Sequence, residues 1–144
     1  MKFTLHIDKE REEEILIYAH ENRPVFAEIE RLLTGAETNL VGYEGEHIVM
    51  LKLKDVTCFV SSDDKVYALA GKHRYMVKKR LYQLQEQLGA DYIRINQSCI
   101  ANIRQISRFS VSIGGSLEVI FRDGYKDYVS RRELKNVKER IGIV

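Results

Sequence analysis

The sequence predicts a mainly β fold with short helices, an α+β arrangement of small antiparallel sheets. Three observations carry that expectation. From residue 40 onward, short apolar runs recur between polar turns, as consecutive antiparallel strands do. Turn-forming pairs such as Gly71-Lys72, Gly114-Gly115 and Asp123-Gly124 separate several of them. Helical periodicity appears only around residues 24–33, 78–88 and 130–141.

At the N-terminus, Phe3, Leu5 and Ile7 alternate with Thr4 and His6, the pattern of a half-buried strand. An acidic loop, Asp8 to Glu14, leads to a second strand over Ile15 to Ala19. Asn22 suits a helix cap and Pro24 a first helical turn. Val25, Ile29, Leu32 and Leu33 then recur at helical spacing up to Gly35, which stops the helix. Residues 1–38 are therefore expected to form a strand-strand-helix extension, and 39–144 the main domain. With one proline in the chain and no Ser/Gly-rich linker, the boundary is a change of period.

In the main domain, strands are expected over Leu40–Tyr43, His47–Leu53, Val56–Val60, Lys65–Ala70 and His73–Val77. Val77, Leu81, Leu84 and Leu88 then give an amphipathic helix, Lys78 to Leu88, with Gly89 as its C-cap; Lys78, Lys79 and Arg80 at its start could touch a phosphate or face solvent. Further strands follow over Arg104–Ser110, Val111–Ile113, Leu117–Phe121 and Lys126–Val129. The chain ends in a helix whose Ser130 and Glu133 have capping-box spacing and whose Leu134, Val137 and Ile141 share a face.

The stretch Asp91 to Ile106, DYIRINQSCIANIRQI, joins two apolar segments through a polar corner, Asn96-Gln97-Ser98. A side-chain amide can pair bidentately with an adenine edge, and an arginine can reach phosphate or guanine. Arg131 and Arg132 stand at the first two positions of the last helix, where the macrodipole disfavours cations by about 0.3–1 kcal/mol each. An anion facing that helix start would explain the placement; two solvated arginines are the plainer alternative.

Charge supports a polyanion partner. Residues 1–40 hold 5 basic and 9 acidic side chains, residues 41–71 hold 3 and 5, and residues 72–144 hold 15 and 7. The front is acidic and the later half strongly basic.

Other classes lack their signals. The sequence has no GxGxxG, GxxxxGK[ST], HExxH or GxSxG motif, so no enzyme chemistry, cofactor or small-molecule substrate is implied. Cys58 and Cys99 lie in separate apolar segments without metal spacing and read as buried reduced thiols; His6, His20, His47 and His73 are scattered, and no metal site is expected. No apolar run approaches the roughly 18 residues of a membrane span and no signal-like N-terminus is present, which points to a cytoplasmic protein.

Taken together, RINQSCIANIRQI, the Gly-rich hairpin, Asp123-Gly124 and YVSRREL resemble the LytTR family of bacterial DNA-binding domains, from about residue 38 to 144. The family usually has an arginine, a variable residue and a His-Arg-Ser or His-Asn-Ser triplet before an apolar-Asn segment; here Asn96 replaces the histidine. The resemblance implies small antiparallel sheets that read promoter DNA through loops. Its base readers map to Asn96 and Gln97, to Arg131, and, around a first loop that also carries Asp63 and Asp64, to Lys65. Arg94, Arg104 and Arg132 are the expected backbone contacts, with Ser98 and Asn102 structural. It further implies double-stranded DNA with direct repeats, two copies and a homodimer on one site, and a regulatory membrane protein as partner of small stand-alone members. The alternative is a protein-interaction module whose basic half only solubilises it.

Overall fold

A computed structural model of the protein describes residues 2–34 and 40–142. The expected helix stop at Gly35 and the domain boundary at residue 38 lie outside the described residues. Helix α1 spans Pro24–Thr34 and begins at the proline. Strands β1 (Leu40–Glu44), β2 (His47–Leu51), β3 (Cys58–Ser62), β4 (Lys65–Ala70) and β5 (His73–Val77) follow, then helix α2 (Leu81–Gln87). Strands β6 (Tyr92–Asn96), β7 (Cys99–Asn102), β8 (Ile106–Val111), β9 (Leu117–Phe121) and β10 (Lys126–Val129) lead to helix α3 (Arg131–Ile141).

All pairings among the described residues are antiparallel. One sheet has seven strands in the order β2-β1-β5-β4-β3-β7-β6, the other three in the order β10-β9-β8. The long sheet buries both faces of its central strands, which explains their nearly unbroken apolar runs. On β7, Ile100 faces a core with Leu40, Phe59, Leu81, Leu84 and Tyr92, under α2. Its neighbours Cys99 and Ala101 point the other way, into a core with Ile93, Ile95, Val119, Phe121 and Val137 that joins the short sheet and α3. On β3, Cys58 and Phe59 divide between the cores in the same way, as the two-residue period of a strand requires. The packing is close at β1: a Cβ on Gly42 would lie 2.8 Å from Leu51 Cδ1 and from Tyr75 Cβ.

Buried polar groups are matched. Asn102 Nδ2 donates to Val56 O at 2.8 Å, Thr57 Oγ1 donates to Asp123 Oδ2 at 2.8 Å, and the Tyr92 hydroxyl donates to Leu53 O. Burial, with the Asp91 carboxylate nearby, pushes the Tyr92 phenol well above its ordinary range. Cys58 and Cys99 are free and buried, as expected. The Cys99 thiol is pushed up by its hydrogen bond with Cys58 and by burial.

Several expectations are corrected. Neither Phe3–Ile7 nor Ile15–Ala19 forms a strand; no helix or strand precedes Pro24 among the described residues. Phe3, Leu5 and Ile7 are 87%, 72% and 86% exposed, so the alternation has no core to face. The stretch expected as strand from His47 to Leu53 ends at Leu51, before a 3-10 turn over Leu53–Asp55, and β3 starts at Cys58. A second 3-10 turn, Ile103–Gln105, takes the start of the strand expected from Arg104. β8 stops at Val111, and Ser112 N bonds Ser116 O across the hairpin turn, so Val111–Ile113 is no separate strand.

Helix α2 begins three residues after Lys78, where Arg80 N donates to Gln83 Oε1 at 2.9 Å. Its cap is Leu88, in extended conformation; Gly89 instead leaves room for the Arg31 guanidinium of α1, 3.3 Å from where a Cβ would sit. Ser130 is the N-cap of α3, but its side chain makes no capping bond; Glu133 N is satisfied by Ser130 O at 3.1 Å.

Candidate nucleic-acid interface

Strand register brings three turns to one end of the long sheet. Ser62 pairs with Lys65 across the β3–β4 turn, Val60 pairs with Cys99, and Asn96 pairs with Cys99 across the β6–β7 turn. Ser61 N donates to Ser98 O at 2.9 Å, tying the first turn to the second. Ser130 N donates to Ile95 O at 2.9 Å, which sets the start of α3 beside the same corner. Lys65, Gln97, Arg131 and Arg132 thus meet at one end, and all four are exposed.

The β6–β7 corner is built from inside. Asn96 is 3% exposed; its Nδ2 donates to Asp127 Oδ1 at 2.9 Å and to Tyr128 O at 2.8 Å, while its Oδ1 accepts from Ser98 N at 2.8 Å. Both amide hydrogens are engaged. Asn96, expected to face a base, is instead a buried post that bolts the corner to β10. Asp127 also accepts from the Tyr125 hydroxyl at 3.2 Å. Burial and the Asp127 charge push the Tyr125 phenol well up, which keeps it a neutral donor.

Arg94 clasps the same corner. Its Nε donates to Asn96 O at 2.9 Å, its Nη2 to Gln97 O at 2.5 Å and its Nη1 to Gln85 Oε1 at 3.2 Å. Two guanidinium hydrogens remain, so Arg94 holds the turn first and can meet a phosphate only with what is left. Gln97, between these fixings, has its carbonyl held and its amide uncommitted among the described residues.

Arg104 is not brought to this end. β6 carries the chain from Asn96 back to Tyr92, a run of about 13 Å, and Arg104 follows β7 at that far side, where its Nε lies 3.1 Å from Asp91 Oδ2. Arg104, expected as a backbone contact, is thus set apart from Gln97 and Arg131.

At the β3–β4 turn, Asp63 and Asp64 both have positive φ, 51° and 61°. A two-residue hairpin of this kind needs left-handed backbone at both positions, which aspartate tolerates better than most residues. Their acidity thus has a conformational reason. Arg80 Nη1 donates to Asp64 O at 3.1 Å, and Lys65 follows at the strand start. Val66 pairs with Val77, so the Lys78-Lys79-Arg80 run lies next to Lys65. The sequence offered that run as a helix start; its neighbour became legible only through the strand register.

At α3, Arg131 and Arg132 make no hydrogen bond or ion pair among the described residues. No group of three or more potential metal ligands occurs among them, and none of their helices is long and apolar enough to cross a membrane.

Small antiparallel sheets thus present an uncommitted amide and several cations from turns at one end. A model of the LytTr DNA-binding domain matches residues 46–142. This chain belongs to that family of DNA-binding domains. It is similar to an uncharacterized HTH-type transcriptional regulator of Staphylococcus aureus strain MSSA476, 32% identical over 146 residues that cover 99% of each chain. Another so named, from strain N315, is 35% identical over 104 residues, 72% of this chain and 71% of the other. The structure resembles the LytTr DNA-binding domain of a putative methyl-accepting/DNA response regulator from Bacillus cereus, with a TM-score of 0.70, 17% identity, and coverage of 73% of this chain and 97% of that one. The fold expectation is thereby met. Five strands separate α1 from α2 and five separate α2 from α3, so no two described helices are consecutive.

Proposed function

We propose that this protein is a sequence-specific regulator that binds promoter DNA through the turns at this end of the sheet. In this reading Gln97 and Arg131 face base edges, Lys65 approaches from the first turn, and Arg132 meets the backbone. Arg94 and Asn96 position the corner. The observation that carries the reading is the Ser130–Ile95 hydrogen bond, which sets a helix start bearing two unpaired arginines beside the uncommitted Gln97 amide. Cations at that helix end oppose the macrodipole, and a phosphate or base edge in front of them removes the conflict. Each bidentate contact contributes about 1–3 kcal/mol of discrimination. Two copies would bind a site with spaced direct repeats as a homodimer on DNA, and a regulatory membrane protein would control them.

Selection of bound sequences from a random duplex pool tests this. Enrichment of a spaced repeat supports it; equal binding to every sequence at low salt contradicts it.

One observation favours a second role for the front of the chain as a protein contact. Phe3, Leu5, Ile7, Ile15, Leu16 and Tyr18 are all more than half exposed, more apolar surface than a short segment ordinarily leaves in water. Salt-insensitive binding, or none, to duplex DNA would make that the main function.

A further inference from the structure

Beside the reading turns lies a groove of about 310 Å³ whose lining includes Lys65, Lys78, Lys79, Arg80, Asp64 and Gln83. Lys78 and Lys79 also line an adjoining concavity of about 260 Å³ against Leu40, Val41 and Tyr43. Four cations thus converge from two elements, the start of β4 and the β5–α2 connection. Asp64 is the one acidic lining residue, with Asp63 beside it in the turn. Among the described residues none of the four cations forms an ion pair.

These side chains are held in place. Lys78 Nζ sits 4.6 Å from the centroid of the Tyr43 ring, Lys79 Nζ donates to Gln87 Oε1 at 2.5 Å, and Arg80 Nη1 donates to Asp64 O at 3.1 Å. Neutral partners orient the charges without cancelling them. Four cations against one lining carboxylate leave the groove net positive, and a polyanion relieves their mutual repulsion.

The geometry points to a second DNA contact: Lys78, Lys79 and Arg80 grip the phosphate backbone that flanks the groove entered by Gln97 and Arg131. This rests on the proposed reading of the turns. Strand order sets the separation. From β7, which follows the Gln97 turn, to β5, which precedes Lys78, the sheet crosses β3 and β4, three spacings or roughly 14 Å. The major groove is about 12 Å wide, so a turn inserted in it sets the Lys78 side of the sheet over the adjacent phosphates. The contact carries no base information; it fixes register and adds salt-dependent affinity.

The test compares the parent, the triple variant Lys78→Gln, Lys79→Gln, Arg80→Gln, and the single variant Lys78→Gln on a selected duplex and a scrambled one, over about 50–300 mM salt. Each lost phosphate contact lowers the slope of log affinity against log salt by about 0.9. The expected result is a slope smaller by roughly 2–3 in the triple variant and roughly 1 in the single one, with the preference for the selected duplex retained. Unchanged slopes overturn the inference while leaving the reading of the turns intact. A parent with no preference between duplexes overturns that reading instead. Because Arg80 also supports the β3–β4 turn, circular dichroism accompanies the triple variant, and if it misfolds the single variant decides.

Discussion

Phe3, Leu5 and Ile7 alternate with polar residues as regularly as any strand in this chain, yet they are 87%, 72% and 86% exposed. Tyr92, Ile93 and Ile95, in a stretch interrupted by Arg94, are 8%, 3% and 0% exposed. The difference is in what surrounds them. β6 has β7 to pair with and a core on each face, whereas the N-terminal segment has neither among the described residues. Alternation states which face a segment would bury, and a lone pair of strands is marginal without something to bury it against.

The largest test of that contrast is core truncation. Phe59→Ala, fully buried between β4 and β7, is expected to cost about 3–5 kcal/mol, whereas Phe3→Ala should change stability by no more than about 0.5 kcal/mol, both measured by urea unfolding. A large loss from Phe3→Ala would mean that the front segment packs in the isolated protein after all.

A finer contrast lies within the corner itself. Asn96→Ala removes one hydrogen bond each from the Asp127 carboxylate, the Tyr128 carbonyl and the Ser98 amide, an expected loss of about 1–3 kcal/mol in stability. Gln97→Ala, one residue on and exposed, should leave the unfolding midpoint nearly unchanged. Equal losses from the two would remove the distinction between post and presented group.

The smallest effect concerns pH. Tyr92 and Tyr125 both have phenols raised by burial above the ordinary value of 10.0. Their folded-state pKa exceeds the unfolded one, so the contribution is fully present below about pH 10 and is lost as pH rises beyond it. The melting temperature should therefore fall as pH rises above about 10, and Tyr125→Phe should flatten part of that decline. A midpoint that rises over this range would reverse the sign.

Much of the main domain was legible because a short apolar run between turn residues has few alternatives. β4, β5, β9 and β10 occupy the spans their alternation predicts, and Gly114-Gly115 and Asp123-Gly124 turn the two hairpins of the short sheet. The missed boundaries are where a tertiary partner decides. Leu53 and Ile103 continue apolar runs, yet each begins a 3-10 turn, and Asn102 caps the second by accepting from Arg104 N. Gly89 looked like a helix cap from its position alone; Arg31, 58 residues earlier in the chain, is what needs its missing side chain.

The site divides in the same way. Residue type alone could nominate Asn96 and Gln97 equally, and only the approach of Asp127 and Tyr128 from β10 assigns one inward. Arg104 lies at the far end of β7, paired with Asp91, a placement that its residue type does not reveal. Lys78 to Arg80 were visible as a basic run, but their place beside Lys65 follows from the Val66–Val77 pair, a long-range fact.

The most direct test of the central claim is the affinity of the parent, Gln97→Ala and Arg131→Ala for a selected duplex relative to a scrambled one at fixed salt. The expected result is a parent preference that each substitution reduces by about 1–3 kcal/mol, roughly fivefold to 150-fold, with affinity for the scrambled duplex little changed for Gln97→Ala. If both variants keep the parent's full preference, the turns at this end of the sheet do not read the sequence.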